Sequence, residues 1–272
     1  MDSSKLKNII LVVLLVVNVV FACLLMGFRR DAAGSERNMK NDLISVYAQH
    51  GIELSDSIRV SAEAPEGYIL ARSEDSELNA VKKLLGRTTV YDQGGNVLYY
   101  SCEKGEARFR GTGEMEIVFS GSSWKFRGDA AAAAKKAAKK LGMDPIVRSV
   151  DAGDLTVVEL GWRFHGSEVF NSSVEMNLSQ QSLLMAVGHR AFDEVLGTTG
   201  AETKNCADAL VEFLALTEER GYDCGEVYSV ESGYIISVPV SGEAMLTPAW
   251  KIETNNGNYY INAVSGREEQ LR

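Results

Sequence analysis

The stretch that decides the fold runs from Leu246 to Arg267 and reads LTPAWKIETNNGNYYINAVSGR. Alternating apolar and aromatic residues flank Asn255-Asn256-Gly257, and an Asn-Gly step between such stretches is a strong signal for a β-hairpin. Trp250 and alternate aromatic side chains are expected to pack on one face, with Asn262 and Gly266 closing the last strand. These residues therefore indicate core and turn positions in preference to a ligand site.

Upstream of this hairpin the chain alternates helices with groups of strands. Apolar spacing predicts four helices that each end near a glycine, at residues 35–50, 76–85, 129–141 and 205–220. Asp129 caps the third, and Gly142 and Pro145 end it. The apolar stripes lie at Met39, Leu43, Val46 and Tyr47 on the first helix and at Leu210, Val211, Leu214 and Thr217 on the fourth.

β-Rich stretches fill the sequence between these helices. The predicted strands cover residues 88–92, 96–101, 114–120, 155–164, 174–178, 183–187, 234–240, 249–253 and 258–264. The first two form a hairpin around Gln93-Gly94-Gly95. Helices that alternate with groups of strands joined by short turns favour an antiparallel α+β arrangement over a doubly wound parallel sheet.

An apolar segment near the N-terminus, residues 9–28, reads IILVVLLVVNVVFACLLMGF and carries no charge. It matches the about 20 residues that a helix needs to cross about 30 Å of hydrocarbon, so it predicts one transmembrane helix. A signal peptide has a shorter apolar core, of about 7–15 residues, followed by small residues at its cleavage site. Asn18 lies in mid-span, where it is either a hydrogen-bonding contact to a partner helix or a tolerated polar residue.

The predicted fold class is therefore α+β, with one N-terminal transmembrane helix followed by antiparallel sheets with packed helices. The expected division is a short cytoplasmic tail and transmembrane helix over residues 1–30, a first α+β subdomain over 31–125 and a second over 126–272. Within the second, strand groups end in LMAVGHR at 184–190 and in INAVSGR at 261–267. A tandem helix-plus-strands repeat and a chance likeness are both open.

Composition narrows the classes of partner. The 272 residues carry 37 acidic and 28 basic side chains, and this net charge of −9 argues against nucleic acid. The four lysines of AAAAAKKAAKK, at 130–140, have i, i+4 spacing and indicate the solvated face of a helix in preference to a binding patch. Cys102, Cys206 and Cys224 leave an odd number beyond the apolar segment, so no disulfide framework is indicated.

No catalytic constellation is found in the sequence. There is no GxSxG, HExxH, P-loop, Rossmann fingerprint or kinase signature, and His50, His165 and His189 lack metal-ligand spacing. Glu114 and Glu116 share one face of a strand, where a solvated sheet edge is favoured over an acid–base pair. We therefore expect no catalytic residue, no metal and no cofactor, and a protein that is not an enzyme.

The two ends of the chain resemble the YycI-type and related YycH-type regulatory proteins of low-GC Gram-positive bacteria. The resemblance rests on an asparagine within the apolar segment and on the pattern P-x-W-x-I followed by YY-x-N-A-x-x-G. The matching positions are Pro248, Trp250, Ile252, Tyr259, Tyr260, Asn262, Ala263 and Gly266. The hairpin is also similar to that of PepSY-type domains, and residues 126–272 have room for two PepSY-like repeats.

This resemblance implies a membrane-anchored accessory regulator of a two-component system, single-pass in the cell membrane, with its C-terminal domain extracytoplasmic. The implied partners are the membrane, a cell-wall-sensing histidine kinase and a YycH-like companion protein. The alternative is a PepSY-like surface module that binds or inhibits an extracytoplasmic protease or captures a wall ligand. Charge counting disagrees with the implied topology, because Arg29 and Arg30 follow the span and cations favour the cytoplasmic side, although large domains translocate regardless of such charges.

Overall fold

The computed structural model describes residues 36–179, 181–190, 192–239 and 242–271. Four helices lie within these ranges: α1 covers residues 36–49, followed by α2 Glu74–Leu85, α3 Ala130–Lys140 and α4 Cys206–Arg220. The strands are β1 Glu53–Leu54, β2 Tyr68–Ala71, β3 Thr89–Asp92, β4 Val97–Cys102, β5 Gly105–Arg110, β6 Glu114–Phe119, β7 Asp144–Ala152, β8 Thr156–Phe164, β9 Ser167–Val169, β10 Val174–Leu178, β11 Leu183–His189, β12 Glu194–Thr198, β13 Glu226–Ser237, β14 Ala244–Thr254 and β15 Gly257–Asn262.

These fifteen strands form one continuous sheet in the order β12-β2-β14-β13-β9-β8-β10-β11-β6-β5-β4-β3. Beside this path β1 pairs with β13, β15 with β14 and β7 with β8. Most neighbours are antiparallel, but β1 and β9 both pair with β13 in parallel, so the sheet is mixed. Residues on the two sides of position 125 belong to the same sheet, because β6 pairs with β11.

The predicted fold class is therefore wrong. The described residues form a mostly-sheet protein on a single mixed sheet with four helices, where separate antiparallel sheets were expected. The reason is that hairpin turns signal only antiparallel neighbours, whereas the parallel strands β1 and β9 reach β13 from distant parts of the chain. In the described part of the chain no helix is long and apolar enough to cross a membrane. The predicted span at residues 9–28 lies outside that part.

All four helices lie within two residues of their predicted positions, and their caps explain why. The Asp129 carboxylate accepts a hydrogen bond from the backbone N–H of Ala132 at 2.8 Å, which satisfies a free donor at the start of α3. Asn205 and Asp208 form a reciprocal capping box at the start of α4. Pro145 was predicted to end α3 but lies in β7, where its side chain is buried.

The helices build two hydrophobic cores on the sheet. In the first core, α2 and α3 pack on strands that include β4, β5, β6, β8, β10 and β11. Ala133, Ala134, Ala137 and Ala138 form the buried face of α3, and their small side chains allow close approach to the sheet. In the second core, α1 and α4 pack on β1, β13, β14 and β15 around Tyr47, Phe213 and Trp250.

Candidate functional site

The C-terminal motif lies in the second core and forms the support of α4. Pro248, Trp250 and Ile252 are buried on β14. Trp250 pairs with Ile261 across the β14–β15 hairpin, and its indole N–H donates to the Lys204 carbonyl at 2.9 Å, one residue before the cap of α4. The tryptophan therefore fixes the start of α4 against the sheet.

The second half of the motif has structural contacts of the same kind. The Asn262 side-chain oxygen accepts from the backbone N–H groups of Val264 and Ser265, each at 2.9 Å, and so holds the turn after β15. Gly266 has φ +75°, and a Cβ there would lie 2.8 Å from a Glu212 carboxylate oxygen. The motif therefore shapes the hairpin, the turn after it and the support of α4.

The two motif tyrosines contact other aromatic rings. The Tyr259 ring lies 5.0 Å from the Phe213 ring of α4 and 5.0 Å from the Tyr222 ring, measured between centroids. Burial, with nearby acidic groups, raises the pKa of Tyr259. Tyr260 faces the Phe170 ring at 5.4 Å. These contacts bind the hairpin to α4 on one side and to the chain after β9 on the other. Asn18, the remaining predicted site residue, lies outside the described residues.

An open groove lies between α1 and α4, the helix that the C-terminal motif supports. Its volume is about 510 Å³, and its lining consists of Asn38, Met39, Asp42, Leu43, Val46, Ala207, Asp208 and Val211. The Tyr47 hydroxyl donates to the Leu210 carbonyl at 2.7 Å, so the two helices are fixed relative to each other below the groove. Burial raises the pKa of Tyr47, which keeps this hydroxyl a donor.

The rim of this groove exposes apolar side chains that the sequence assigns to the packing stripes. Leu43 and Tyr47 are buried as predicted, but Val46 is 41% exposed and Val211 is 57% exposed. Asp42 and Asp208 are also exposed beside them. The groove thus has an apolar floor and an acidic rim, which is the surface expected to receive an amphipathic helix with basic edges.

A buried ionic cluster connects α2 to the chain after β11. Arg72, which follows β2, donates to both carboxylate oxygens of Glu77, at 2.7 and 2.8 Å, and to the Asn96 carbonyl at 2.7 Å. Arg190 lies 3.7 Å from the same carboxylate and donates to Asp193 at 3.2 Å. The sequence gives no signal for this cluster, because its members are separated by long stretches of chain.

The electrostatics of the cluster follow from its burial. Burial lowers the pKa of Arg72, but the hydrogen bond and charge of Glu77 more than offset this effect and leave the pKa raised. Burial also raises the pKa of Tyr100, whose hydroxyl lies 3.5 Å from Glu77, and the Glu77 charge adds to the effect. Arg190 is 4% exposed, and its Nε has no hydrogen-bond partner among the described residues.

The acidic pair singled out in the sequence is not at a sheet edge, because β6 lies between β5 and β11. Glu114 is 3.4 Å from Arg110 and Glu116 is 3.5 Å from Arg108, so both carboxylates are half-exposed members of ion pairs. Within the described ranges no group of three or more histidine, cysteine, aspartate or glutamate side chains is arranged to hold a metal ion. Cys102, Cys206 and Cys224 are free thiols.

Comparison with protein-family models finds no family that matches this chain. Comparison with curated protein sequences finds no match either. Among solved structures, the chain is similar to an uncharacterized protein from Eubacterium rectale, at 10% sequence identity and a TM-score of 0.49. That match covers 81% of this chain and 90% of the other. What this chain does is therefore inferred from its own residues.

Proposed function

We propose that this chain is a membrane-anchored, extracytoplasmic accessory regulator that works by binding, and that its partner is the cell-wall-sensing histidine kinase of a two-component system. The observation that carries the proposal is the groove between α1 and α4, with its apolar floor and acidic rim. A regulator of this class needs a stable surface for one partner, and the groove supplies exposed apolar side chains on two helices that the core holds in place.

The position of the groove along the chain favours a membrane partner. The described part of α1 starts at residue 36, and the uncharged segment ends at residue 28. Seven intervening residues span at most about 25 Å when fully extended. In this proposal segment 9–28 provides the membrane localisation, and the groove then lies within reach of the outer domain of a membrane-bound kinase.

The residues that carry the family resemblance lie directly behind this surface. Trp250 fixes the start of α4 through the Lys204 carbonyl, and Tyr259 packs on Phe213 of the same helix. The motif therefore maintains the wall of the groove that presents Val211.

Introducing a negative charge on the rim of the groove tests whether the kinase binds there. The variant Val211→Glu adds a carboxylate to the acidic rim of the groove. Because Val211 is exposed, we expect the variant to fold, but the new charge opposes docking of an apolar helix. Co-purification with the kinase is expected to fall at least tenfold, and reporter output of its regulon is expected to change, in either direction. Val150→Glu is the matched control, because Val150 is 49% exposed on β7 and does not line the groove.

Three outcomes contradict parts of this proposal. Unchanged co-purification and reporter output in Val211→Glu would show that the kinase binds elsewhere. Unchanged values in Asn18→Leu would remove the contact predicted within the apolar segment. Recovery of an extracytoplasmic protease by the wild-type chain, without a kinase, would replace the proposal with the PepSY-like binding module.

The location of the domain is tested by thiol labelling in intact cells. Cys206 is a poor reporter because it is buried, so an exposed position is needed. Ser122→Cys places a thiol on the exposed turn between β6 and α3. A membrane-impermeant maleimide is expected to label this thiol without lysis. Labelling that appears only after lysis would place the domain in the cytoplasm.

A further inference from the structure

Positive charge is concentrated in one segment of an otherwise acidic chain. Residues 124–143, WKFRGDAAAAAKKAAKKLGM, contain six basic residues and one acidic residue. The other 252 residues contain 22 basic and 36 acidic side chains. A local excess of this size creates an attractive potential for anions even on a protein of net negative charge.

The fold adds cations from other parts of the chain to this segment. The Lys140 ammonium donates to the Lys83 carbonyl at 3.1 Å, which joins the C-terminal ends of α2 and α3. Burial, together with the charges of Lys136 and Lys104, lowers the pKa of Lys140. Within the described ranges none of these cations forms an ion pair: Lys82, Lys83, Lys104, Lys125, Arg127, Lys135, Lys136, Lys139 and Lys140.

The basic segment lines a groove of about 930 Å³, which we call the cationic groove. Its lining comprises Trp124, Lys125, Phe126, Arg127, Gly128, Asp129, Ala132, Ala133, Lys136 and Gln181. The Phe126 N–H donates to the Gln181 carbonyl at 3.0 Å and the Leu183 N–H donates to the Trp124 carbonyl at 3.0 Å, so residues 124–126 run extended beside β11. This alternation turns Trp124 and Phe126 towards the first core and leaves Lys125 and Arg127 exposed.

We propose that the cationic groove binds a linear polymer of phosphodiesters that carries no bases. Lys125, Arg127 and Lys136 line the groove with exposed side chains, which gives a row of cations for a row of phosphates. A row of unpaired cations binds such a chain largely through release of its counterions. Asp129 is the one carboxylate in the lining, and it is engaged in capping α3.

The details of the surface favour this polymer over two other polyanions. Insertion of apolar side chains between headgroups strengthens binding to a membrane surface, whereas Trp124 and Phe126 are partly buried against the first core and the described residues expose no large apolar side chain between positions 120 and 143. Single-stranded nucleic acid requires aromatic rings free for base stacking. The Lys140 ammonium covers the Trp124 ring at 4.3 Å from its centroid.

The test uses the full chain in detergent micelles and a lipid-free poly(glycerol phosphate) as the probe, with binding measured by calorimetry at several salt concentrations. About three phosphate contacts, each with a slope near 0.7, predict an affinity loss of about 20-fold between 50 and 200 mM salt. The double variant Arg127→Gln/Lys136→Gln removes two of these cations. It is expected to weaken binding at least tenfold and to reduce the salt slope by about 1.4.

The matched control is Arg59→Gln/Arg267→Gln, which removes the same charge from two exposed arginines that do not line the groove. This control is expected to bind within twofold of the wild type, and thermal unfolding checks that both doubles fold. Three results would overturn the proposal: no binding of the polymer at 50 mM salt, equal losses in the two double variants, or tighter binding of oligo(dT) or anionic vesicles than of the polymer. Val211 lies on α4, which packs in the second core, whereas the cationic groove borders α3 of the first core. The result of the polymer-binding test is therefore independent of the test of the kinase interface.

Discussion

Replacing Glu77 by leucine tests whether the buried ionic cluster is held together by this single carboxylate. Glu77 is 3% exposed, and its two carboxylate oxygens accept hydrogen bonds from Nε and Nη2 of the Arg72 guanidinium. Leucine leaves Arg72 with the Asn96 and Phe109 acceptors and leaves Arg190 with Asp193 and Ser76. Two guanidinium charges then stay buried against one partly exposed carboxylate.

The expected cost follows from this uncompensated charge. Breaking a buried ion pair by removing one partner typically destabilises a protein by about 3–5 kcal/mol, because the remaining charge has lost its solvation. The unfolding constant would rise by roughly two to four orders of magnitude. Since the cluster is shielded from solvent, the cost should be the same in low and high salt.

The double variant Arg72→Met/Glu77→Leu distinguishes the loss of the ion pair from the cost of leaving the Arg72 charge buried without its partner. Removing both partners leaves no unpaired Arg72, so the double variant should be more stable than Glu77→Leu alone. Urea unfolding followed by circular dichroism measures both free energies. The exposed Glu74→Leu on the same helical turn is the control, with an expected loss below about 1 kcal/mol. A Glu77→Leu loss as small as that of the control, or a double variant less stable than the single, would refute the reasoning.

Three further predictions concern backbone, thiol and core. Gly188→Ala should lower the unfolding temperature, because Gly188 has φ +147° and a Cβ there would overlap the Ser173 carbonyl oxygen; Gly197→Ala, where the space is open, is the control and should be near neutral. Burial raises the pKa of the Cys206 thiol to about 12, so roughly one molecule in ten thousand carries the thiolate at pH 8. Iodoacetamide should therefore spare this cysteine in the native chain and label it in denaturant, and equal labelling of Cys102 and Cys206 in the native chain would contradict this. Its neutral thiol contributes to stability fully below the ordinary pKa of 9.0, and this contribution is lost as the pH rises towards 12. Trp250→Phe removes the hydrogen bond to Lys204 and should cost about 1–3 kcal/mol in urea unfolding, whereas an unchanged midpoint would show that the indole N–H does not hold α4.

The parts of the fold that could be predicted are those with local causes. Asp129 caps α3 as predicted, and α4 ends at a glycine as predicted, the left-handed Gly221; the cap Asn205 lies at the predicted start of α4. The hairpin around Gln93-Gly94-Gly95 likewise follows from its own turn, since β3 ends at Asp92 and β4 begins at Val97. A local signal is sufficient because each of these features is closed by hydrogen bonds between near neighbours.

The rest depends on pairings between distant segments. Strand β7 was not predicted because Pro145 was interpreted as the end of a helix. A proline is tolerated here, because it is the second residue of the strand and β7 lies outside the main strand order of the sheet. Val46 and Val211 were assigned to packing stripes, and only the distance between α1 and α4 shows that they border an open groove. The lysines of α3 lie on its exposed face, as predicted, but the sequence does not show that the end of α2 at Lys83 lies beside them.

The position of β2 in the sheet has a consequence for biosynthesis. Both neighbours of β2 come late in the chain, because β12 begins at Glu194 and β14 begins at Ala244. At about 5–20 residues per second, a ribosome takes roughly 9–35 s to travel from the end of β2 to the start of β14. Throughout that interval Leu70, which is fully buried in the finished protein, lacks its neighbour on β14, and until β12 has been made it has no partner strand on either side. The nascent chain therefore carries an unpaired apolar strand for many seconds, which makes it a natural client of chaperones until its neighbouring strands are in place.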